Sequence, residues 1–208
     1  MLLRYSEEHP QVSFQIQPEV TADAVREGRT DVAILNHIPA DTTDLVVRHY
    51  RTDSTTVLAT PAYLRAHGCP ASPEDLRHHT GLLLETVGHT PTTRLFRDGV
   101  SSGLLNWQQF FITHDQMNLK TLLLENRGIT VDLFIGHVIP ELRAGAVVPI
   151  LKGWEREPWR MCVVTHYNTE RRFKAIRDFA VYIMAKTNAD FEVDYTDARR
   201  TVADIWGD

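Results

Sequence analysis

The stretch from Thr30 to Gly68 constrains the fold more than any other part of this 208-residue chain. It opens with Asp31-Val32-Ala33-Ile34-Leu35, a nearly continuous apolar run of the kind found in strands covered on both faces. A polar loop follows, then Leu45-Val46-Val47 and the β-rich run Thr55 to Ala59. Pro61 starts a short helix reaching Ala66, because proline fits the first helical turn, where its missing N–H needs no partner. Ser72-Pro73-Glu74-Asp75-Leu76 repeats that arrangement and starts another.

On either side of this stretch the spacing predicts alternating strands and helices. Met1 to His9 reads as the last turns of an amphipathic helix, with Leu2, Leu3 and Tyr5 toward a core and His9-Pro10 as its stop. Val12-Ser13-Phe14-Gln15-Ile16 alternates as a half-buried strand does. Thr21 caps a helix over Ala22–Arg26 with Gly28 at its end. Together with Asp31–Leu35 these make a βαβ unit, whose strands are expected to be parallel. The second half repeats the pattern. Phe110-Phe111-Ile112 is a strand, Thr113 or Asp115 caps a helix from about Gln116 to Glu125, and Ile129-Thr130-Val131 is the next strand. Leu133 to Leu142 reads as a helix that Gly136 and Pro140 break or shift. Val147–Leu151 and Trp159–Thr165 are strands. Phe173–Met184 is an amphipathic helix with Phe173, Ile176, Phe179, Ala180 and Ile183 on one stripe. Asn188–Asp208 is a charged tail with a short helix over Asp197–Trp206.

Composition narrows the function. Hydrophobic residues make up 43% and charged residues 24%, as in ordinary globular proteins. A net charge of −5 disfavours direct DNA binding, which needs clustered Lys and Arg against phosphates. No run approaches the ~20 apolar residues of a membrane span, and MLLRYSEEHP becomes charged too early for a secretory signal. Cys69 and Cys162 stand far apart, which predicts free, buried or half-buried thiols and suits a reducing cytoplasm. His67, His78, His79 and His89 lack the His-x-x-x-His spacing of a metal site, so neither metal nor other cofactor is expected. The nucleophile-elbow, dinucleotide and phosphate-loop motifs are missing as well, so no enzyme is expected.

Several motifs then act together. Asp31-Val32-Ala33-Ile34 is followed by Val46-Val47-Arg48, and that by Ala59-Thr60-Pro61-Ala62-Tyr63-Leu64. Later come a helix, Gly128 and Ile129-Thr130-Val131, then Ala144-Gly145 and Val147-Val148-Pro149-Ile150-Leu151. This succession resembles the effector-binding domain of LysR-type transcriptional regulators, over about Ser6 to Ala185. The resemblance implies an α/β fold of two Rossmann-like lobes, type II periplasmic-binding-protein-like. The expected domain is 1–185, with lobe I about 1–80 plus a returning segment near 165–185, and lobe II about 81–164; 186–208 is a C-terminal tail. The family's first strand, before the His-Pro turn, has no counterpart here. No winged helix-turn-helix is visible, so DNA is expected to be reached only through a module absent from this chain. The implied function is sensing a small organic effector between two lobes to modulate transcription, in the cytoplasm and without a membrane. The alternative on the same fold is a solute-binding protein of a transport system. The resemblance also implies a homodimer or higher oligomer, packed through the Ala22–Arg26 and Leu133–Leu142 regions.

Ligands of α/β folds sit at the carboxyl ends of strands. That rule selects Asn36 and His37, Thr86, Thr113 and His114, and Asp132 as candidate effector-binding residues. Each also has a plainer role. Thr113 can cap a helix, His114 can lie on the surface, Asn36-His37 can be a polar loop, Thr86 a turn residue and Asp132 the cap of the Leu133 helix. A helix start at Thr113–Asp115 favours negative charge, whereas Asp132 would favour a cationic or hydroxyl-bearing ligand. On balance an anion is expected.

Overall fold

The computed structural model describes residues 2–53 and 55–207, and for 188–195 the backbone alone. In chain order come α1 (Leu2–Glu8), α2 (Ala22–Arg26), β1 (Val32–Leu35), β2 (Leu45–Asp53), β3 (Val57–Ala59), α3 (Pro61–His67) and a 3-10 helix (Pro73–His78). Next are β4 (Thr80–Leu84), the hairpin β5 (Phe96–Arg97) and β6 (Val100–Ser101), β7 (Gln109–Thr113), α4 (Gln116–Leu124) and β8 (Ile129–Thr130). A second 3-10 helix (Ile135–Val138) leads into α5 (Ile139–Arg143), β9 (Val148–Ile150), β10 (Trp159–His166), α6 (Tyr167–Arg172) and α7 (Lys174–Trp206).

These elements form two compact units. Unit 1 is Met1–Arg51 with Arg160–Phe191, and unit 2 is Thr52–Trp159 with Glu192–Asp208. The sequence places the first crossing near residue 80, whereas the structure places it at 51/52. The reason is strand pairing: β3 hydrogen-bonds to β8 and β9, which commits residues 57–59 to the second unit.

Unit 1 is built on the three-stranded sheet β1-β10-β2, in which β1 runs antiparallel to β10 from Val32↔Thr165 to Leu35↔Cys162. Alternation along β10 sends successive side chains to opposite faces. Cys162 and Val164 pack with Val25 of α2, Ala33 and Leu35, while Val163 packs with Ala180 and Ile183 of α7. Burial pushes the Cys162 thiol up to about 11, whereas Cys69 is exposed. Val12–Ile16, expected as a strand, forms none, because no neighbouring strand pairs with it and a strand needs a ladder partner. Phe14 instead packs on Phe179 (ring centroids 4.9 Å apart), next to Tyr5. Tyr5 is the buried residue of α1, but Leu3 is 81% exposed, contrary to its expected core position.

Unit 2 carries the five-stranded sheet β7-β4-β8-β3-β9. β4 is fully buried and parallel to both β7 and β8, so β7-α4-β8 is the expected parallel βαβ crossover, with β4 between its strands. Gly128 permits the close approach of β8 to β4, since a Cβ there would lie 2.4 Å from the Thr80 carbonyl oxygen. Pro140 fixes the start of α5 and splits the expected Leu133–Leu142 helix into a 3-10 turn and a short α-helix. The short helix expected over Asp197–Trp206 is instead the end of α7.

Arg48 gives unit 1 a polar pin. Its guanidinium donates two hydrogen bonds to the Glu170 carboxylate, at 2.6 and 2.7 Å, and a third to Thr165 Oγ1 at 3.2 Å. Burial alone would raise the Glu170 carboxyl, yet hydrogen bonds from Arg48 and Thr165, with the charge of Arg48, hold it below the usual glutamate range. Arg48→Ala leaves that carboxylate buried and unpaired, so a loss of about 2–4 kcal/mol in urea unfolding is expected. A depressed carboxyl stabilises the fold above the unfolded-state pKa and loses that contribution as pH falls through the folded value. The stability gap between wild type and Glu170→Gln should therefore be full at pH 7 and close toward pH 3. A gap that stays constant over that range contradicts the assignment.

Candidate functional site

The parallel strands β7, β4 and β8 end side by side, and their carboxyl ends bring four of the expected residues onto unit 2. Glu85 N donates to the Thr113 carbonyl at 2.9 Å, and His114 Nδ1 donates to the Glu85 carbonyl at 2.8 Å. Asp115, rather than Thr113, caps α4: its carboxylate accepts from Asn118 N at 2.8 Å. The Thr113 hydroxyl donates to the Asp115 carbonyl at 3.1 Å. Thr86 opens a tight turn closed by reciprocal backbone bonds to His89 of 3.0 and 2.9 Å. Gly88, at φ 76°, supplies the left-handed residue that the turn needs. Asn36 and His37 follow β1 on unit 1, where His37 Nδ1 bonds Asn36 Oδ1 at 3.0 Å and the Asn36 carbonyl accepts from Arg160 N at 3.1 Å.

Asp132 is 0% exposed and does not cap a helix, because the 3-10 turn after it begins at Phe134 without a side-chain cap. Its carboxylate instead accepts from Leu84 N at 3.2 Å, from Thr92 N at 3.4 Å and from the Thr92 hydroxyl at 2.5 Å. Its backbone carbonyl accepts from Gln116 Nε2 at 3.0 Å, and the Gln116 side-chain oxygen accepts from Phe134 N at 2.8 Å. One residue thus joins the ends of β4 and β8, the loop at Thr92 and the first turn of α4.

Around this carboxylate stand residues that sequence reasoning did not select. Arg156 Nε lies 3.9 Å and His89 Nε2 3.6 Å from Asp132 Oδ1. The Arg156 guanidinium stacks 4.3 Å above the Trp159 ring. His89 Nδ1 receives Trp159 Nε1 and Arg156 Nη2, each at 3.4 Å, which assigns the proton of a neutral ring to Nε2, facing Asp132. Burial lowers the Arg156 guanidinium to about 10, against the opposing pull of Asp132 and Glu157. Arg156 Nε and Nη1 and His89 Nε2 are buried without a hydrogen-bond partner among the described residues. A buried guanidinium with unused N–H groups is costly unless something accepts from them, and the natural acceptor is an anion. The sequence signal was present in Trp154-Glu155-Arg156-Glu157-Pro158-Trp159, where an arginine stands between two tryptophans.

Among the described residues no cluster of His, Cys, Asp and Glu is placed to hold an ion. His67 stacks on Tyr63, with ring centroids 4.5 Å apart. Burial, reinforced by the charges of His67 and His78, holds the nearby His79 imidazole below its usual range.

The fold and the strand-end site define a two-unit α/β ligand-binding domain. The sequence matches the LysR substrate binding domain over residues 1–186, and the chain belongs to that family. It is thereby an effector-sensing domain of the LysR-type transcriptional regulators rather than a transport solute-binding protein. The solved regulatory domain of AphB from Vibrio vulnificus is similar, with TM-score 0.67 and 19% identity, covering 87% of this chain and 89% of that one. The regulatory domain of CrgA, a LysR-type transcriptional regulator from Neisseria meningitidis, has TM-score 0.69 and 20% identity, covering 89% of each chain. Against CrgA in its longer structure the TM-score is 0.72 at 21% identity, and the chain spans 62% of that protein. At such identities the likeness concerns the fold. No curated protein matches the sequence.

Asp132→Ala would strip three donors of their acceptor and Arg156 of the neighbouring negative charge. A loss of about 3–5 kcal/mol is expected in urea unfolding, with Asp132→Asn milder because it keeps one oxygen. A loss under ~1 kcal/mol for Asp132→Ala would remove this carboxylate from the centre of the site.

Proposed function

We propose that this domain senses a small organic anion, held at the carboxyl ends of β4, β7 and β8 by Arg156 and His89. The observation that carries the reading is Arg156, whose side chain is only 10% exposed yet keeps two N–H groups without a hydrogen-bond acceptor. Guanidinium presents a planar fork that fits a carboxylate by two parallel bonds. Asp132 already accepts three hydrogen bonds from other donors, so it offers a cation little. The start of α4 adds partial positive charge. Thr86, Thr113 and His114, on adjoining strand ends, are proposed as further effector contacts. Asn36 and His37 hold the same strand-end position on unit 1 and are proposed as contacts there. The domain binds without turnover, needs no cofactor, and works in the cytoplasm as part of a regulator whose DNA contacts come from another module. Binding acts by shifting populations between states of different subunit packing. No helix among the described residues is long and apolar enough to cross a membrane.

The test is a thermal-shift screen of small organic carboxylates, followed by calorimetry on the best binder. Arg156→Gln should weaken it by about tenfold to a hundredfold, the range for losing a charged hydrogen bond of about 1.5–3 kcal/mol. Arg160→Gln, an exposed neighbour, should leave affinity unchanged. Equal affinity in wild type and Arg156→Gln, or a screen that returns only amines, contradicts the reading.

We also infer a homodimer, and its surface differs from the one expected from sequence. In α2, Arg26 is engaged with Asp23 and Asp41, at 2.5 and 3.1 Å, and the apolar Ala24 and Val25 are buried. Leu133, Ile135, Val138, Ile139 and Leu142 are likewise buried in the fold. The edge strand β7 is different. Phe110 is 59% exposed, Phe111 and Ile112 are exposed beside it, and Met117 of α4 adds to this apolar surface. An unpaired apolar edge is a template for association with another chain. Phe110→Asp should give a monomeric mass by light scattering under conditions where wild type is a dimer. A monomeric wild type, or a dimer unaffected by the substitution, sinks this surface.

A further inference from the structure

We propose that the end of α7, residues 196–207, is a built-in ligand of unit 2 whose docking orders the loop that carries Arg156. This segment lies beyond residue 186, where the family match stops. It presents a narrow apolar face: Ala198 and Val202, four residues apart, are buried, while Ile205 is exposed. Two small side chains bury little area, so apolar contact alone holds the end of α7 only weakly. Ion pairs therefore decide whether it stays docked. Arg199 grips Glu155 with both guanidinium branches, at 2.5 and 3.0 Å, and Asp197 pairs with Arg143. The two anchors bracket β9, the edge strand of the sheet, one before it and one after.

Glu155 is the joint. Its backbone is bonded in both directions to Phe96, at 2.7 and 3.0 Å, and its side chain holds the tail. The next residue is Arg156, whose guanidinium is fixed over Trp159 beside Asp132. Releasing Arg199 removes the side-chain hold on Glu155 and leaves the backbone leading into Arg156 to its bonds with Phe96. The tail is thereby a means of adjusting the site from outside the family domain. This meaning rests on the assignment of Arg156 to the effector, but the docking itself does not.

Hydrogen exchange on the full chain, without any effector, tests it. Arg199→Glu should raise exchange about tenfold or more in 196–207 and also in 154–157, with β4 amides unchanged. The swapped pair Glu155→Arg with Arg199→Glu should restore both segments. Val202→Asp, which attacks the apolar face instead, should reproduce the release. Faster exchange in 196–207 with 154–157 unchanged overturns the coupling. No release of 196–207 by either Arg199→Glu or Val202→Asp overturns the docking. In both cases the effector assignment is left standing.

Discussion

Asp132 is a carboxylate wholly withdrawn from the surface, and unit 2 is arranged around it. Removing a carboxylate from water costs several kcal/mol, which only short hydrogen bonds and nearby cations offset. Leu84, Thr92, Arg156 and His89 all approach it as that demand requires. The consequence reaches further than one residue. β4 and β8 are held in register at their carboxyl ends, the turn at Thr86–His89 folds inward, and Arg156 is drawn under cover beside Trp159. The site is thus a by-product of satisfying a buried charge.

Unit 1 solves a smaller version of the same problem at Arg48 and Glu170, where the pair is only partly covered. The difference lies in what is left unused. Glu170 is closed by Arg48 and Thr165, so that pair is structural. In unit 2 the hydrogen-bonding capacity of Asp132 goes to Leu84 and Thr92, and Arg156 keeps N–H groups unspent. Unit 2 thus keeps a surplus of buried donors beside its buried carboxylate.

Much of this was legible in the sequence. The cap-and-proline starts at Thr60-Pro61 and Ser72-Pro73 and the β7-α4-β8 crossover follow from local chemistry that the fold respects, and Asp31–Leu35 does carry a strand, although Ile34 is exposed rather than covered. The strand-end rule also selected Asp132 as a candidate effector contact, while its plainer reading as a helix cap is not what the structure shows. What was not legible depends on pairing partners that lie far along the chain. Val12–Ile16 has the alternation of a strand but no neighbour, and periodicity cannot report a missing ladder. The boundary between the units was hidden because β3 joins strands some seventy to ninety residues later. Arg156 was hidden because a charged residue in a loop ordinarily faces water, and only the convergence of Trp159, His89 and Asp132 covers it. α2 and the 133–142 segment look amphipathic in sequence, and the fold buries their apolar residues internally.

The central claim is that the buried Arg156–His89–Trp159 cluster receives an anionic effector. The most direct measurement follows the Arg156 Nε–H and Trp159 Nε1–H resonances by NMR while small organic carboxylates, and separately amines of matching shape, are titrated in. The account predicts saturable shifts of both signals with a carboxylate and none with the corresponding amine. Saturable binding that leaves both signals in place, with shifts confined to residues away from the ends of β4, β7 and β8, would contradict it.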